Sequence, residues 1–146
     1  MASIRAYQQD DQDRLVEIWL AASRVGHPFL GIDELVAKSG ELRHVYLPNA
    51  ENWVAEHDDE IVGFIGMIAG YIGGLFVDPC WHGCGIGRAL VMYAYALKGV
   101  LTLEVYSANQ GAVAFYTRLG FVVTRRRPRD DQGRPLEVIE MTLTRA

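Results

Sequence analysis

Three observations on the sequence predict a single α/β domain. The chain has 146 residues, of which 50% are hydrophobic and 22% charged, enough for one globular core of ordinary size. Stretches of alternating apolar residues, typical of strands, interchange with stretches that carry an apolar stripe at helical spacing. A glycine-rich turn in the middle of the chain leads from one such strand into one such helix. No linker, repeat or low-complexity tract interrupts this order.

The first half of the chain predicts two helices and three strands. In order these are a strand over residues 3–7, a helix over 10–25, a weaker helix over about 32–45, and strands over 53–57 and 61–68. Acidic residues favour the start of the first helix, because they complement the partial positive charge of a helix N-terminus. Its apolar stripe is expected to face the core through Leu15, Ile18, Trp19, Ala22 and Val25. Trp53 is also expected in the core.

The second half predicts two strands, two helices and a closing hairpin. The predicted elements are a strand over 71–78, a helix over 88–98, a strand over 101–106, a helix from Asn109 to 119, and a hairpin of residues 121–127 and 136–144. Gly99 is expected to end the first of these helices as a C-cap. Gly73 and Gly74 lie inside a strand, which predicts a bulge or a place where another group approaches the backbone closely.

The glycine-rich turn, residues 75–88, has the composition of an anion-binding loop. Gly83, Gly85 and Gly87 can adopt backbone angles that are closed to other residues, so that successive N–H groups can converge on one anion. The partial positive charge at the start of the following helix would add to their effect. The simpler alternative is that the glycines only permit a tight turn from strand to helix.

Two well-known phosphate-binding motifs fit this turn poorly. A P-loop ends in Gly-Lys-Ser or Gly-Lys-Thr, whereas Gly87 is followed by Arg88 and Ala89. A dinucleotide fingerprint opens the first βαβ unit of its domain, whereas this turn lies in mid-chain and has Leu90 at the position of the third glycine.

Charge and hydropathy exclude some classes of protein. Lys and Arg number 14 and Asp and Glu 18, and the resulting net charge of −4 disfavours binding to nucleic acid or to an anionic membrane. No apolar run approaches the roughly 18 residues that span a bilayer, and the N-terminus lacks the apolar core of a signal peptide. We therefore expect a cytoplasmic protein. The basic run 125–129 is offset by neighbouring acids and predicts a solvated hairpin arm, with an accessory contact to nucleotide phosphates as the alternative.

The two cysteines flank a histidine inside the glycine-rich turn. In a reducing compartment Cys80 and Cys84 are expected to be free thiols. With His82 between them they also suggest a zinc site. The lack of a fourth ligand nearby disfavours zinc, and alternate spacing across a tight turn is poor for tetrahedral coordination.

The turn resembles the acyl-CoA pyrophosphate loop of the GNAT superfamily of N-acetyltransferases. That loop has Gln or Arg, two residues, Gly, one residue, and Gly or Ala, after a strand that ends in Val-x-Pro. Val77 and Pro79 match the strand, Gly85 and Gly87 match the loop, and His82 departs from it at the Gln or Arg position. A second block also resembles the superfamily, in its downstream cofactor segment: Leu103 to Asn109, Ala112, Phe115, Tyr116, Leu119, Gly120 and Phe121.

The resemblance implies a fold, a cofactor and a reaction. The fold would be a mixed, mostly antiparallel sheet with helices on both faces, forming one N-acetyltransferase domain over residues 1–146 in a monomer or homodimer. The reaction would move an acetyl group from acetyl-CoA, without a metal, to a primary amine in a direct ternary complex. The amine could belong to a small molecule, a protein N-terminus or a lysine. The implied cofactor-binding residues are Leu75, Phe76, Val77, His82, Gly83, Cys84, Gly85, Ile86, Gly87, Arg88, Asn109 and Tyr116.

Acyl transfer from a thioester to an amine needs a base for the amine, stabilisation of the oxyanion and an acid for the departing thiolate. A strand amide near residues 75–77 is expected to stabilise the oxyanion. Tyr116 is the candidate acid, because it lies seven residues, two helical turns, after Asn109, so that both can face the cofactor. A phenol with a pKa near 10 can protonate the thiolate of a thiol with a pKa near 8.5. The alternative is that Tyr116 is simply a core residue.

Glu104 is the candidate base, since it lies among apolar strand residues where partial desolvation would favour proton uptake. Some members of the superfamily that acetylate protein N-termini use a Glu at the matching position. The alternatives are a structural role for Glu104, His27 as the base, or a water relay. His27, Phe29 and Leu30 follow the first helix and are expected to shape the acceptor site, or else to end the helix and cover the core.

Two other functions remain open on the sequence. A protein of this kind could bind acetyl-CoA as a sensor or partner without turnover. It could also transfer a longer acyl chain.

Overall fold

The computed structural model describes residues 2–26 and 31–144. The strands are β1 (Ser3–Ala6), β2 (Glu51–His57), β3 (Glu60–Ile68), β4 (Tyr71–Val77), β5 (Leu101–Tyr106), β6 (Val122–Arg127) and β7 (Val138–Leu143). The helices are α1 (Gln12–Gly26), α2 (Ile32–Glu41), the short α3 (Leu47–Asn49), α4 (Ile86–Lys98) and α5 (Gln110–Leu119). In these two described ranges, no helix is long and apolar enough to cross a membrane.

The strands form a seven-stranded sheet in the order β1-β2-β3-β4-β5-β7-β6. All neighbouring strands are antiparallel except β4 and β5, which are parallel. The predicted mixed, mostly antiparallel sheet is therefore confirmed. The closing hairpin inserts its second strand, β7, beside β5 and leaves β6 at the edge.

Helices cover both faces of the sheet, and each face has its own core. Successive strand residues point to opposite faces, so that Val54 and Phe64 pack under α1 and α2 while Ala55 and Ile65 pack under α4 and α5. The first core also includes Leu15, Ile18, Trp19, Leu35 and Leu42, and the second includes Leu90, Val91, Ala94, Tyr116 and Phe121. Trp53, expected in the core, is only half-buried and packs its ring against Tyr93 on α4, with ring centroids 4.9 Å apart.

The predicted stripe of α1 ends one turn early. Leu15, Ile18 and Trp19 are buried as expected, but Val25 is 59% exposed. The inward position one turn after Trp19 is taken by Ser23, which is 2% exposed. Val25 lies about 200° around the helix from Ser23, because each residue advances the helix by about 100°. The expectation that Val25 faces the core was therefore wrong.

The second helix extends further than its sequence pattern suggests. A π-helical turn, Leu42–Tyr46, follows α2 directly and leads into α3, where Pro48 occupies the first turn. Such wide turns are rare in proteins, and those that do occur often lie at functional sites. The turn carries Tyr46 inward over the sheet, beside Gly66 and Gly73.

The predicted bulge lies in β4. Gly66 of β3 pairs with Gly74, and the next residue of β3, Met67, pairs with Ile72, so that Gly73 is the extra residue. On its other side β4 pairs with β5 only at Tyr71 and Ile72. Beyond the bulge the two strands separate, and the edge of β4 that faces β5 is left without a pairing strand.

The loop between β6 and β7 is held by a buried carboxylate. Asp130 accepts hydrogen bonds from the backbone N–H groups of Gln132 (3.0 Å) and Arg134 (2.9 Å), from Arg134 Nε (2.7 Å) and from Tyr106 Oη (3.1 Å). Arg134 also pairs with Glu34 on α2. Desolvation alone would raise the pKa of Asp130, but these hydrogen bonds prevail and lower it to about 2.

This carboxylate predicts a loss of stability in acid. The pKa of Asp130 lies below its ordinary value of 3.8, so its charge favours the folded state above about pH 4 and that contribution disappears as the pH falls toward 2. Thermal melts should show that Asp130→Asn has a lower Tm than the wild type at pH 7, and that this difference shrinks between pH 4 and pH 2. Asp131→Asn, at an exposed position of the same loop, is the control. A constant Tm difference across that interval would contradict the assignment.

Candidate functional site

The glycine-rich turn begins with a fixed carboxylate. Asp78 follows β4 directly, accepts a hydrogen bond from the Cys80 N–H (2.9 Å) and pairs with Arg14 of α1 at 2.7 Å. The Cys80 amide and Arg14 lower the pKa of Asp78, although its partial burial opposes them. The first residues of the turn are thereby anchored to α1.

The glycines of the turn serve two different purposes. Gly83 and Gly85 have φ angles of +79° and +82°, and a Cβ at either position would meet nothing within 4 Å. These two residues are therefore required for backbone conformation and leave open space beside the chain. Gly87 serves packing, because a Cβ there would lie 3.1 Å from the Phe115 ring of α5 and the ring would have to shift slightly.

The amides at the start of α4 are available to a ligand. The helix's hydrogen bonding begins with the Ala89 N–H donating to Gly85 O at 3.0 Å. The N–H groups of Ile86, Gly87 and Arg88 precede that bond and have no acceptor within the helix. Together with the open side of Gly85, they leave several N–H donors unpaired at this end of the site.

His82 and Cys84 are already engaged in local contacts. His82 Nε2 lies 2.9 Å from Val77 O, so that nitrogen must carry the hydrogen and donate it. Its Nδ1 could donate to a phosphate only if the ring carried both protons. The Cys84 N–H donates to Trp81 O over 3.4 Å, and both cysteine side chains are exposed.

A cavity of about 300 Å³ occupies the separation of β4 and β5. Several of the predicted site residues line it together: Leu75, Phe76, Glu104, Asn109 and Tyr116. Asn109 caps α5 by accepting a hydrogen bond from the Ala112 N–H at 3.2 Å. The sequence placed these residues in two separate blocks, and the structure brings them to one cleft.

Tyr116 is 9% exposed and lies at the edge of this cavity. Its ring packs against Phe115 and Phe121, with ring centroids 5.1 and 5.3 Å away. Burial raises the pKa of the phenol above its ordinary value. Tyr116 is thus both a core residue, as the alternative reading held, and a residue that borders the cleft.

Glu104 is less buried than its sequence context suggests. Its side chain is 33% exposed, and its carboxylate lies 3.1 Å from the guanidinium of Arg127 on β6. The hydroxyl of Tyr71 is close by, and burial together with the charge of Glu104 raises the pKa of Tyr71 to about 12. Arg127 therefore lines the cleft and pairs with Glu104, while Arg125 and Arg126 are exposed.

A second cavity, of about 440 Å³, lies on the other side of the bulge between α1, α2 and β4. Its walls are mainly apolar and include Trp19, Leu35, Leu42, Val45, Ile68 and Phe76. The two cavities meet at the bulge of β4, because four residues line both of them: Lys38, Gly73, Phe76 and Tyr106. His27, Phe29 and Leu30, predicted to shape this side, lie outside the described residues.

The apolar residues of the second cavity were missed in the sequence because each of them looks like an ordinary core residue. The available signal was Gly73, since a glycine inside a strand indicates a close approach. The group that approaches is Tyr46: a Cβ on Gly73 would overlap its hydroxyl.

The cleft fits a long ligand with a phosphate end. It offers free amides at the start of α4, an unpaired strand edge on β4, and a cavity that ends beside Tyr116. Across residues 2–26 and 31–144, no three His, Cys, Asp or Glu side chains lie together in a way that could hold a metal ion.

Comparison with known proteins places these features in a family. Residues 48–123 match the family model described as an acetyltransferase (GNAT) domain. The chain is 36% identical over 140 residues to the peptidyl-lysine N-acetyltransferase YjaB of Escherichia coli, with 95% of each chain covered. It is 37% identical over 119 residues to the peptidyl-lysine N-acetyltransferase YiaC of the same organism, covering 81% of this chain and 82% of YiaC. The solution structure of apo-form YjaB has a TM-score of 0.87 at 35% identity, with 97% of each chain covered.

Proposed function

The chain belongs to the GNAT superfamily of N-acetyltransferases, and from that premise we propose that it acetylates the ε-amino group of lysine in a peptide or protein. The enzyme transfers an acetyl group from acetyl-CoA to an amine. The main support for lysine is the apolar cavity of about 440 Å³ that meets the cofactor cleft at Gly73. An apolar cavity suits the methylene stem of a lysine, whose amine could then reach the bulge. YjaB and YiaC are named for the same acceptor.

The proposed cofactor contacts follow the cleft from end to end. The amides of Gly83 and Gly85 and of residues 86–88 would hold the pyrophosphate, with His82 beside them, whereas the Cys84 N–H already donates to Trp81 O. The free edge of β4 at 73–77 would hold the pantetheine arm, and Asn109 would border it. When bound, acetyl-CoA supplies the activated thioester. We also propose that residues 1–146 act as one N-acetyltransferase domain, because the sheet includes strands from both ends of the chain.

The proposed proton transfers use two residues of the cleft. Tyr116 would donate its phenolic proton to the departing thiolate. Its raised pKa keeps it protonated at neutral pH and makes it a weak acid. Glu104 would receive the proton of the attacking amine, either directly or through water, while Arg127 holds its carboxylate in place. Transfer would then occur directly between acetyl-CoA and the amine, both bound at once.

The role of Glu104 predicts a pH-dependent defect. Glu104→Gln should keep the fold and acetyl-CoA binding but lower the rate at neutral pH, where the amine still carries its proton. The deficit should shrink as the pH approaches the pKa of the amine, because free amine then becomes abundant without a base. Rates of CoA release measured from pH 6.5 to 10 test this.

Glu140 provides a matched control for that experiment. It lies directly opposite Glu104 on β7 and bonds to Thr124. Glu140→Gln should leave the pH profile unchanged. A Glu104→Gln enzyme whose profile also stays unchanged would leave Glu104 as a structural partner of Arg127.

The acceptor class can be tested with two matched peptides. One has a single lysine and a blocked N-terminus, and the other has arginine in place of lysine and a free N-terminus. We expect acetylation of the first only, detected by mass spectrometry. Acetylation of the second peptide alone would overturn lysine as the acceptor and would leave the acetyltransferase assignment intact.

A further inference from the structure

We propose that Tyr46 receives the acceptor amine at the bulge of β4 and orients it for attack, through a hydroxyl oxygen that is buried and unpaired. This inference rests on the proposed function, because it adds a positioning residue to the same acceptor cavity. Tyr46 belongs to the π-helical turn Leu42–Tyr46 and lines the cavity between α1, α2 and β4.

The position of Tyr46 is determined by glycines on two adjacent strands. A Cβ on Gly66 of β3 would lie 2.7 Å from the Tyr46 ring and 2.8 Å from its hydroxyl oxygen. A Cβ on Gly73 of β4 would overlap that oxygen. The hydroxyl therefore lies directly on the bulge, where the acceptor cavity and the cofactor cleft meet.

The Tyr46 hydroxyl still has hydrogen-bonding capacity. It is out of contact with solvent and forms no well-aligned hydrogen bond with any described residue, although the Gly73 N–H is close enough to oppose the rise of its pKa. Buried polar groups are normally paired, and leaving one unpaired is costly. A buried, unpaired hydroxyl at the junction of the two cavities indicates that a substrate group forms the missing hydrogen bond.

A second unpaired oxygen lies over the same glycine. Asn52 donates its side-chain amide hydrogens to Leu47 O and Ala50 O, both at 3.1 Å, which leaves its Oδ1 turned toward Gly66. This Oδ1 is also buried without a partner in the described part of the chain. Both unpaired oxygens can accept a hydrogen bond from an amine N–H at this position.

The hydroxyl orients the amine and does not deprotonate it. Burial and the neighbouring Tyr71 raise the pKa of Tyr46 to about 12, against a smaller opposing effect of the Gly73 amide. Tyr46 is therefore neutral at physiological pH. Its removal should lower the rate by the same factor at every pH, in contrast to the loss of a base.

Tyr46→Phe keeps the ring that packs on both glycines and removes only the oxygen. Kinetics with n-butylamine and with the N-terminally blocked lysine peptide should show kcat/KM reduced roughly tenfold to fiftyfold for both acceptors. The pH profile should run parallel to that of the wild type, and the Kd for acetyl-CoA should be unchanged. Tyr93→Phe, whose ring packs on Trp53 from α4, is the control and should match the wild type.

Each other outcome is decisive. Equal kinetics for Tyr46→Phe and Tyr93→Phe overturn the proposal, and so does a joint loss of acetyl-CoA affinity and thermal stability, which would make Tyr46 structural. If the wild type acetylates butylamine but not the peptide, lysine is the wrong acceptor and the butylamine comparison still decides the role of Tyr46. If the wild type acetylates neither amine, both proposals fail.

Discussion

Replacing Gly85 with valine is expected to weaken acetyl-CoA binding by at least a hundredfold while leaving a folded protein. Gly85 has a φ of +82°, which a β-branched residue adopts only under strain. If the backbone changed to relieve that strain, the N–H groups of residues 86–88 would no longer point toward one anion. Hydrogen bonds to charged groups contribute about 1.5–3 kcal/mol each, so losing one or two accounts for such a decrease. Calorimetric titration with acetyl-CoA measures it.

Gly99 makes a close control for this substitution. It has a φ of +80°, its Cβ position is equally open, and it caps the opposite end of the same helix, α4. Gly99→Val should show a similar loss of thermal stability with normal acetyl-CoA affinity. Normal affinity in Gly85→Val would remove the turn from the cofactor site.

Gly87→Val would be a less informative variant than Gly85→Val. Its new side chain would press on the ring of Phe115, only 3.1 Å from the Cβ position. Loss of cofactor binding would therefore be accompanied by a disturbed contact between α4 and α5. Gly85 is the better position, because its substitution meets no neighbouring atom.

Removing the phenolic oxygen of Tyr116 should lower turnover by roughly 10- to 100-fold without changing acetyl-CoA affinity. General acids contribute about 10²–10⁴-fold, and an effect at or below the lower end of that range is expected here because burial has raised the pKa of Tyr116 and made it a weak acid. Tyr116→Phe keeps the ring contacts with Phe115 and Phe121. Steady-state rates with a saturating amine acceptor and calorimetry with acetyl-CoA separate turnover from binding.

Tyr95→Phe is the matched control, since Tyr95 packs against the same core from α4. It should keep full activity. If Tyr116→Phe turned over at the wild-type rate, the residue would be a core tyrosine and the leaving thiolate would take its proton from elsewhere.

The elements of the fold could be predicted from the sequence where the local sequence pattern agrees with the environment of the residues in the folded protein. The strand-turn-helix around Gly85 is an example, because its glycines, its helix and its Gly99 cap are all local features. The bulge at Gly73 was also predictable, since glycine pairs inside strands serve few other purposes. Val25 shows the limit: its apolar side chain matched the stripe of α1, but Ser23 took the inward position.

The contacts that complete the site depend on long-range geometry. Arg134 meets Glu34 across 100 residues of sequence, and Arg127 meets Glu104 across 23. Neither pairing leaves a local signal in the chain. Tyr46 is a similar case, because its position follows from a π-helical turn and from glycines on two other strands.

Intact-mass spectrometry of one reaction mixture tests direct acetyl transfer to lysine. The protein is incubated with acetyl-CoA, first alone and then with the N-terminally blocked lysine peptide. We predict no acetyl group on the protein in either case, one acetyl group on the peptide lysine, and release of CoA in equal amount only when the peptide is present. Acetyl-CoA that binds but is never consumed with any amine would contradict the account, and so would an acetylated protein, for example at Cys84, that forms without the peptide and passes its acetyl group on.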